Sequence, residues 1–329
     1  MENVSARMPH RSTRRWAKWT LRGLGAAAGL VLLAYLGVGA LAASQLTLPQ
    51  RVFDPSLGPA RYGLQFEEVR LPARTDGLEI AAWHLPSTAN ERAIILVHGR
   101  DNSRTNGFVD HFVEFAGSLQ RAGFSVMMID LRGHGQSAGA RYTFGIKERQ
   151  DILGAVDWLV SRGYAPTRIG ALGYSLGAAS VIGAAADEPA IGAIWIDSAY
   201  ADVQPVIEGG WRANSGLPQV LLYPTEWMIR VLYGYDITAS RPVQEIGRIA
   251  PRPIFMAHCQ QDAMIPISHM EQLRAVVPQA ETWVILNCDQ HTLVQPIVPE
   301  KYNNHALGFN LQPEEYTRRV IAFFDEALR

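Results

Sequence analysis

The stretch Ile169-Gly-Ala-Leu-Gly173-Tyr-Ser175-Leu-Gly177-Ala-Ala-Ser-Val-Ile-Gly-Ala-Ala-Ala186 sets a serine between a short apolar run and a chain of small, helix-compatible residues. Its order predicts a strand, a sharp turn and a helix. A serine on so tight a turn sits in a strained backbone conformation, tolerated only where the residues two positions either side lack a side chain. Gly173 and Gly177 supply that space, and Ser175 is the candidate nucleophile. A G-x-S-x-G string arises by chance in a Gly- and Ala-rich chain, and then marks only a loop between strand and helix. The flanking runs favour the elbow.

A serine hydroxyl needs a base to take its proton and an acid to orient that base. In a strand-turn-helix elbow of this kind the acid and the base follow in that chain order, each on a loop after a later strand. The run Arg252-Pro-Ile-Phe-Met-Ala257 leads into His258-Cys-Gln-Gln-Asp262, which makes Asp262 the candidate acid. Asp197, at the end of Ile191-Gly-Ala-Ile-Trp-Ile196, is the runner-up. The run Thr282-Trp-Val-Ile-Leu286 leads into Asn287-Cys-Asp-Gln-His291, which makes His291 the candidate base. His305 is the runner-up, read as a solvated side chain in the polar loop Tyr302-Asn-Asn-His305.

Upstream, Ala93-Ile-Ile-Leu-Val97 ends in His98-Gly99-Arg100. The turn there brings backbone N–H groups toward the serine, so the amides of Arg100 and Leu176 form the expected oxyanion hole. His98 reads as a residue that pins this loop. In Asp130-Leu-Arg-Gly-His-Gly-Gln-Ser137 the charged residues read as structural, since Asp130 and Arg132 are suited to satisfying buried loop groups.

These features, in this order across roughly residues 65 to 329, resemble the α/β-hydrolase superfamily, and within it the serine aminopeptidase-like or BEM46-like hydrolases. The resemblance implies a mostly parallel eight-stranded sheet with helices on both faces and a Ser-His-Asp triad. The acid loop departs from the family pattern, reading His258-Cys259 where His-Gly is usual, and the segment between His291 and Pro313 is long. In the implied sheet the strands before Cys259 and Cys288 are parallel neighbours, about 4.8 Å apart. That separation suits a Cys259-Cys288 disulfide. Two buried free thiols are the equal alternative.

Between Ser198 and Ile249 the chain leaves the strand-helix rhythm. This insertion, about 198–249, is the expected short helical lid. It is rich in Trp211, Leu222, Tyr223, Trp227 and Ile229. Those residues read either as core packing or as an apolar wall for an acyl or aryl group.

No charged residue occurs from Gly23 to Gln50, and Leu24 to Ala43 is apolar over a length that crosses a bilayer as a helix. Arg7, Arg11, Arg14, Arg15, Lys18 and Arg22 precede it. The positive-inside tendency then leaves residues 1–22 in the cytoplasm, makes 23–46 a signal-anchor and puts the hydrolase domain, 47–329, across the membrane. A cleaved signal peptide ending at Ala40-Leu41-Ala42 is the alternative, with a secreted domain as its product. The formal net charge of -1 and the lack of a basic face beyond residue 22 argue against nucleic acid as a partner. No histidine pair has metal-like spacing, and the triad needs no metal or organic cofactor.

The expected function is therefore a membrane-anchored carboxylic-ester hydrolase acting on a small-molecule or lipid-like ester. A peptidase or amidase would use the same triad. A tethered binding or scaffolding module with a vestigial triad is the reading outside enzymes.

Overall fold

The computed structural model describes residues 12–87, 91–289 and 304–329. It divides into two units, one of residues 1–46 with 217–235 and one of residues 47–216 with 236–329.

The larger unit is built on eight strands: β1 (Glu67–Pro72), β2 (Glu79–Leu85), β3 (Ala93–Val97), β4 (Ser125–Ile129), β5 (Ile169–Tyr174), β6 (Ile191–Asp197), β7 (Ile254–Cys259) and β8 (Glu281–Ile285). They form one sheet in the order β1-β2-β4-β3-β5-β6-β7-β8. β1 and β2 pair antiparallel, as do β2 and β4, and every later pairing is parallel. The helices α2 (Phe112–Arg121), α3 (Glu148–Ser161), α4 (Leu176–Asp187), α5 (Val203–Asn214), α7 (Ser268–Val276) and α8 (Pro313–Ala327) connect or follow the strands.

The central strands read as unbroken apolar runs because a sheet covered on both faces has no solvent side to alternate toward. β3, β4, β5, β6 and β7 are buried along their whole length. Trp195 of β6 stacks on Phe255 of β7 with ring centroids 3.8 Å apart. Tyr316 and Phe323 of α8 pack edge-on or tilted against the same pair.

The charged segment after β4 is structural. The Asp130 carboxylate accepts from the Arg104 amide at 2.8 Å and the Gln136 amide at 2.8 Å, and it pairs with the fully buried Arg104 guanidinium. That guanidinium lies over Trp83 at 4.4 Å. Arg132 pairs with Asp151 at 2.6 Å and Asp76 at 2.8 Å. Each buried charge thus has a counter-charge, without which its desolvation would cost several kcal/mol.

The strand order reverses between β3 and β5. The chain winds outward from β3 to β4, then returns past β3 to lay down β5. In open α/β sheets the crevice at such a reversal, beyond the carboxyl ends of the strands, is the natural ligand site. Gly99 and Arg100 follow β3 there, and Ser175 follows β5.

The smaller unit contains α1 (Ser12–Thr47), almost all of it, together with a 3-10 turn at Gln219–Leu221 and helix α6 (Leu222–Tyr233). Residues Arg15–Thr47 make one helix long and apolar enough to cross a membrane. Within this unit the Tyr35 hydroxyl donates to the Val220 carbonyl at 2.9 Å. A methyl group on Gly39 would fall 2.8 Å from the Pro224 carbonyl carbon, so the two backbones touch.

Candidate active site

Ser175 has φ 55° and ψ −121°, a left-handed conformation that a side chain rarely adopts. The two flanking glycines explain how the turn is tolerated. A Cβ on Gly173 would lie 2.5 Å from the carbonyl of Gly177, and a Cβ on Gly177 would lie 2.4 Å from the Val97 carbonyl oxygen. The Ser175 amide donates to the Asp197 carbonyl at 2.9 Å, which ties the turn to β6. Leu176 opens α4, so its N–H precedes the first intrahelical bond. The positive end of the helix dipole points the same way.

The loop after β3 is held by His98, which is fully buried. Its Nδ1 donates to the Gly99 carbonyl at 2.7 Å, and its Nε2 accepts from the Leu131 amide at 3.0 Å. Burial pushes its imidazole down to about 4, so it is neutral and already saturated by these two bonds. The loop then carries Arg100 into the crevice. The Arg100 side chain is tied to Asp101 at 3.1 Å and to the Tyr142 hydroxyl at 3.3 Å.

Asp262 follows β7. One carboxylate oxygen, Oδ1, accepts from the amides of Met264 at 2.9 Å and Ile265 at 2.8 Å, which fixes its orientation. The other, Oδ2, accepts from Nδ1 of His305 at 2.8 Å. His258 Nε2 lies 3.8 Å from the same Oδ2, but its hydrogen bond goes to the Ile265 carbonyl at 2.7 Å.

His291, the base expected from the sequence, lies outside the described residues. Among the described residues the histidine hydrogen-bonded to the Asp262 carboxylate is His305, and its expected solvated setting is corrected: its side chain is only 11% exposed. The Asn304 amide donates to the Gln261 carbonyl at 3.1 Å, so the loop before His305 is docked on the acid loop by a second bond. Burial, the largest influence on His305, pushes its imidazole down. The charge and hydrogen bond of Asp262, with the charge of Asp197, outweigh it and hold the group above its usual value. His305 Nε2 is buried without a hydrogen-bond partner.

Asp197, the runner-up acid, is fully buried and occupied otherwise. It accepts from the Ser198 hydroxyl at 2.9 Å and the Tyr316 hydroxyl at 3.0 Å. Burial pushes its carboxyl up to about 6, against those two hydrogen bonds.

Ser175, His305, Arg100 and Gly99 line one cavity of about 470 Å³. Phe108, Tyr174, Met264 and Leu307 give it apolar surface, and Gln50, Asn102, Asp110 and Asn310 give it polar surface. Phe108, Val109 and Asp110 form a left-handed turn along one wall. No pattern in the sequence singles out this wall, because three consecutive side chains at positive φ contradict local preference. The insertion residues 198–216 and 236–249 contribute no lining residue to this cavity.

Cys259 and Cys288 are joined by a disulfide with Cα atoms 5.5 Å apart. It links the end of β7, three residues before Asp262, to the segment that follows β8.

The eight-stranded sheet, its switch-point crevice and the strained serine elbow define an α/β-hydrolase fold. The model of the X-Pro dipeptidyl-peptidase (S15) family matches residues 76–226. Among solved structures, the fold is similar to that of the esterase Pf2001 of Pyrococcus furiosus. The TM-score is 0.66 at 21% identity, over 86% of this chain and 98% of that one. A puromycin-hydrolyzing peptidase of Mycobacterium tuberculosis is similar with a TM-score of 0.62 at 17% identity, over 81% of this chain and 40% of that one. In sequence, the chain is 26% identical to YqkD of Bacillus subtilis over 60% of its own length, and the match spans 64% of that relative.

Proposed function

We propose that this protein is a membrane-anchored serine hydrolase that cleaves carboxylic esters through Ser175, His305 and Asp262. The observation that carries the reading is the bond from His305 to Asp262 beside a cavity that Ser175 also lines. In this mechanism Nε2 of His305 takes the hydroxyl proton as Ser175 Oγ attacks the ester carbonyl. The amides of Leu176 and Arg100 hold the oxyanion. As the C–O bond to the leaving group breaks, His305 returns the proton to the departing alcohol and the acyl group stays on Ser175. Water then attacks the acyl-enzyme, gives its proton to His305, and the carboxylic acid leaves with the serine restored. His305 takes the role that the sequence reading gave to His291.

α1 serves as the anchor, with the basic residues in and before its first turns on the cytoplasmic side and the catalytic unit across the membrane. A disulfide between Cys259 and Cys288 accords with that placement, since disulfides persist in oxidising compartments.

Amide or peptide cleavage is the second reading, favoured by the match to a peptidase family model. Both bonds suit the same triad, and leaving-group preference lies in the cavity. The test is hydrolysis of p-nitrophenyl esters from acetate to long acyl chains beside matched p-nitroanilides, by the full chain and its Ser175→Ala variant. Ester turnover that exceeds anilide turnover and vanishes in the variant supports the esterase. Anilide turnover that vanishes in the variant with esters untouched moves the assignment to an amidase, and equal background rates in both proteins refute a serine hydrolase.

A further inference from the structure

The smaller unit carries a feature that the triad does not use. Helix α6 (Leu222–Tyr233) exposes Tyr223 at 72%, Trp227 at 50% and Val231 at 56%. Spaced four residues apart, these side chains form one stripe along the helix. Val220 and Leu232 extend it, at 55% and 48% exposed. A contiguous exposed apolar stripe of this kind is a binding surface or a liability in a water-facing helix.

What covers it follows from where α6 sits on α1. Among the contacts are Tyr35 with Val220 and Gly39 with Pro224. α1 has exposed Trp16 and Trp19 among its basic residues, the composition of a membrane-interface belt. A hydrocarbon core about 30 Å thick takes about 20 helical residues at about 1.5 Å each. Counted from Trp19, the second interface falls at Gly39, where α6 touches. Along α1 the rest of the apolar span, from Gly23 to Thr47, has Tyr35 as its one aromatic residue. The aromatic belt expected at the far interface is supplied instead by α6, through Tyr223 and Trp227.

We infer that α6 is an interfacial helix, laid against α1 at the outer face of the bilayer with Tyr223, Trp227 and Val231 turned to lipid. The inference rests on α1 being a membrane anchor. Glu226 and Arg230, four residues apart on α6, fit an interfacial position, where a long basic side chain reaches the headgroups while its stem covers apolar surface. α6 then holds the chain at the membrane surface at a second point besides the span.

The test is photo-crosslinking of the full chain in its membranes, with p-benzoylphenylalanine placed singly at Leu32, Tyr223, Trp227 or Glu326. Leu32 lies in the apolar span, and Glu326 is an exposed position on α8. The expected result is a mass gain of one phospholipid at Leu32, Tyr223 and Trp227 and none at Glu326. Lipid at Leu32 with none at Tyr223 and Trp227 overturns the interfacial helix and leaves the anchor intact. Lipid at none of the three overturns both. Adducts at Tyr223 and Trp227 to a second protein chain in place of lipid overturn the inference in favour of a protein interface.

Discussion

Nδ1 of His305 lies 2.8 Å from Oδ2 of Asp262, across 43 residues of chain. The bond orients the ring, and the two backbone amides on Oδ1 keep the carboxylate from turning away. The imidazole is thereby held by the acid loop, and the docking of Asn304 on Gln261 adds a second bond between the two segments.

This arrangement predicts that His305→Ala lowers ester turnover by about three orders of magnitude or more, whereas His291→Ala leaves it near the parent rate. Asp262→Asn is expected to lose activity with His305→Ala, and Asp197→Asn to keep it. Initial rates of the four variants, with circular dichroism to check folding, decide the assignment. A dead His291→Ala beside an active His305→Ala would return the base to His291.

The pH dependence has a defined sign. The base must be neutral to accept the serine proton, and Asp262 holds His305 above the usual histidine value of about 6.5. The acid limb of kcat/KM is therefore expected to have its midpoint above about 6.5. Because the folded value is raised, protonated His305 contributes stability that is fully present below about 6.5 and is lost as pH rises through the folded value. Activity climbs as that increment fades. Removing the Asp262 charge leaves burial dominant, so the limb of Asp262→Asn moves to lower pH. Rate profiles and urea melts across pH 5 to 9 measure both.

Gly177→Ala is expected to destroy the elbow, since the new methyl would stand 2.4 Å from the Val97 carbonyl oxygen and 2.6 Å from that of His98. Neither backbone atom has room to yield, and overpacking of this kind costs about 1–3 kcal/mol or more. Gly63→Ala is the control: it too has positive φ, but nothing lies within 4 Å of its Cβ. The control is expected to lose about 1 kcal/mol of stability through backbone strain and to keep its labelling by a fluorophosphonate probe, while Gly177→Ala loses the labelling. Equal labelling of both would refute the tight-turn account.

Replacing Cys259 and Cys288 together by serine opens a link between residues 29 apart in sequence. On the chain-entropy account this costs about 3.6 kcal/mol of stability, seen as a lower urea midpoint. Turnover at low denaturant is expected to fall less than the stability does, because Asp262 keeps its two amide donors. Mapping of peptides from exported protein without reductant gives the direct check, and two free thiols would remove the bond from the account.

Most of the frame was legible in the chain because its signals are local. A buried parallel strand is an apolar run, and β3, β5, β6 and β7 stand, within two residues at either end, where the runs Ala93–Val97, Ile169–Leu172, Ile191–Ile196 and Arg252–Ala257 mark them. The elbow was legible for the same reason: Gly173, Ser175 and Gly177 carry their geometric requirement within five residues. The cavity wall at Phe108 to Asp110 was not, because its left-handed turn runs against the preference of every residue in it.

The sequence by itself determined the strands, the serine turn and the Asp262 loop, since each depends on residues within a few positions of one another. Which histidine meets that acid was decided only by tertiary structure. His305 reads as a polar-loop side chain until the fold brings it against Asp262, whose charge is then the strongest influence that holds its proton against burial. Spacing along the chain carries no record of such a contact, because the cost of closing a long loop grows only slowly with its length and leaves distant partners nearly equal.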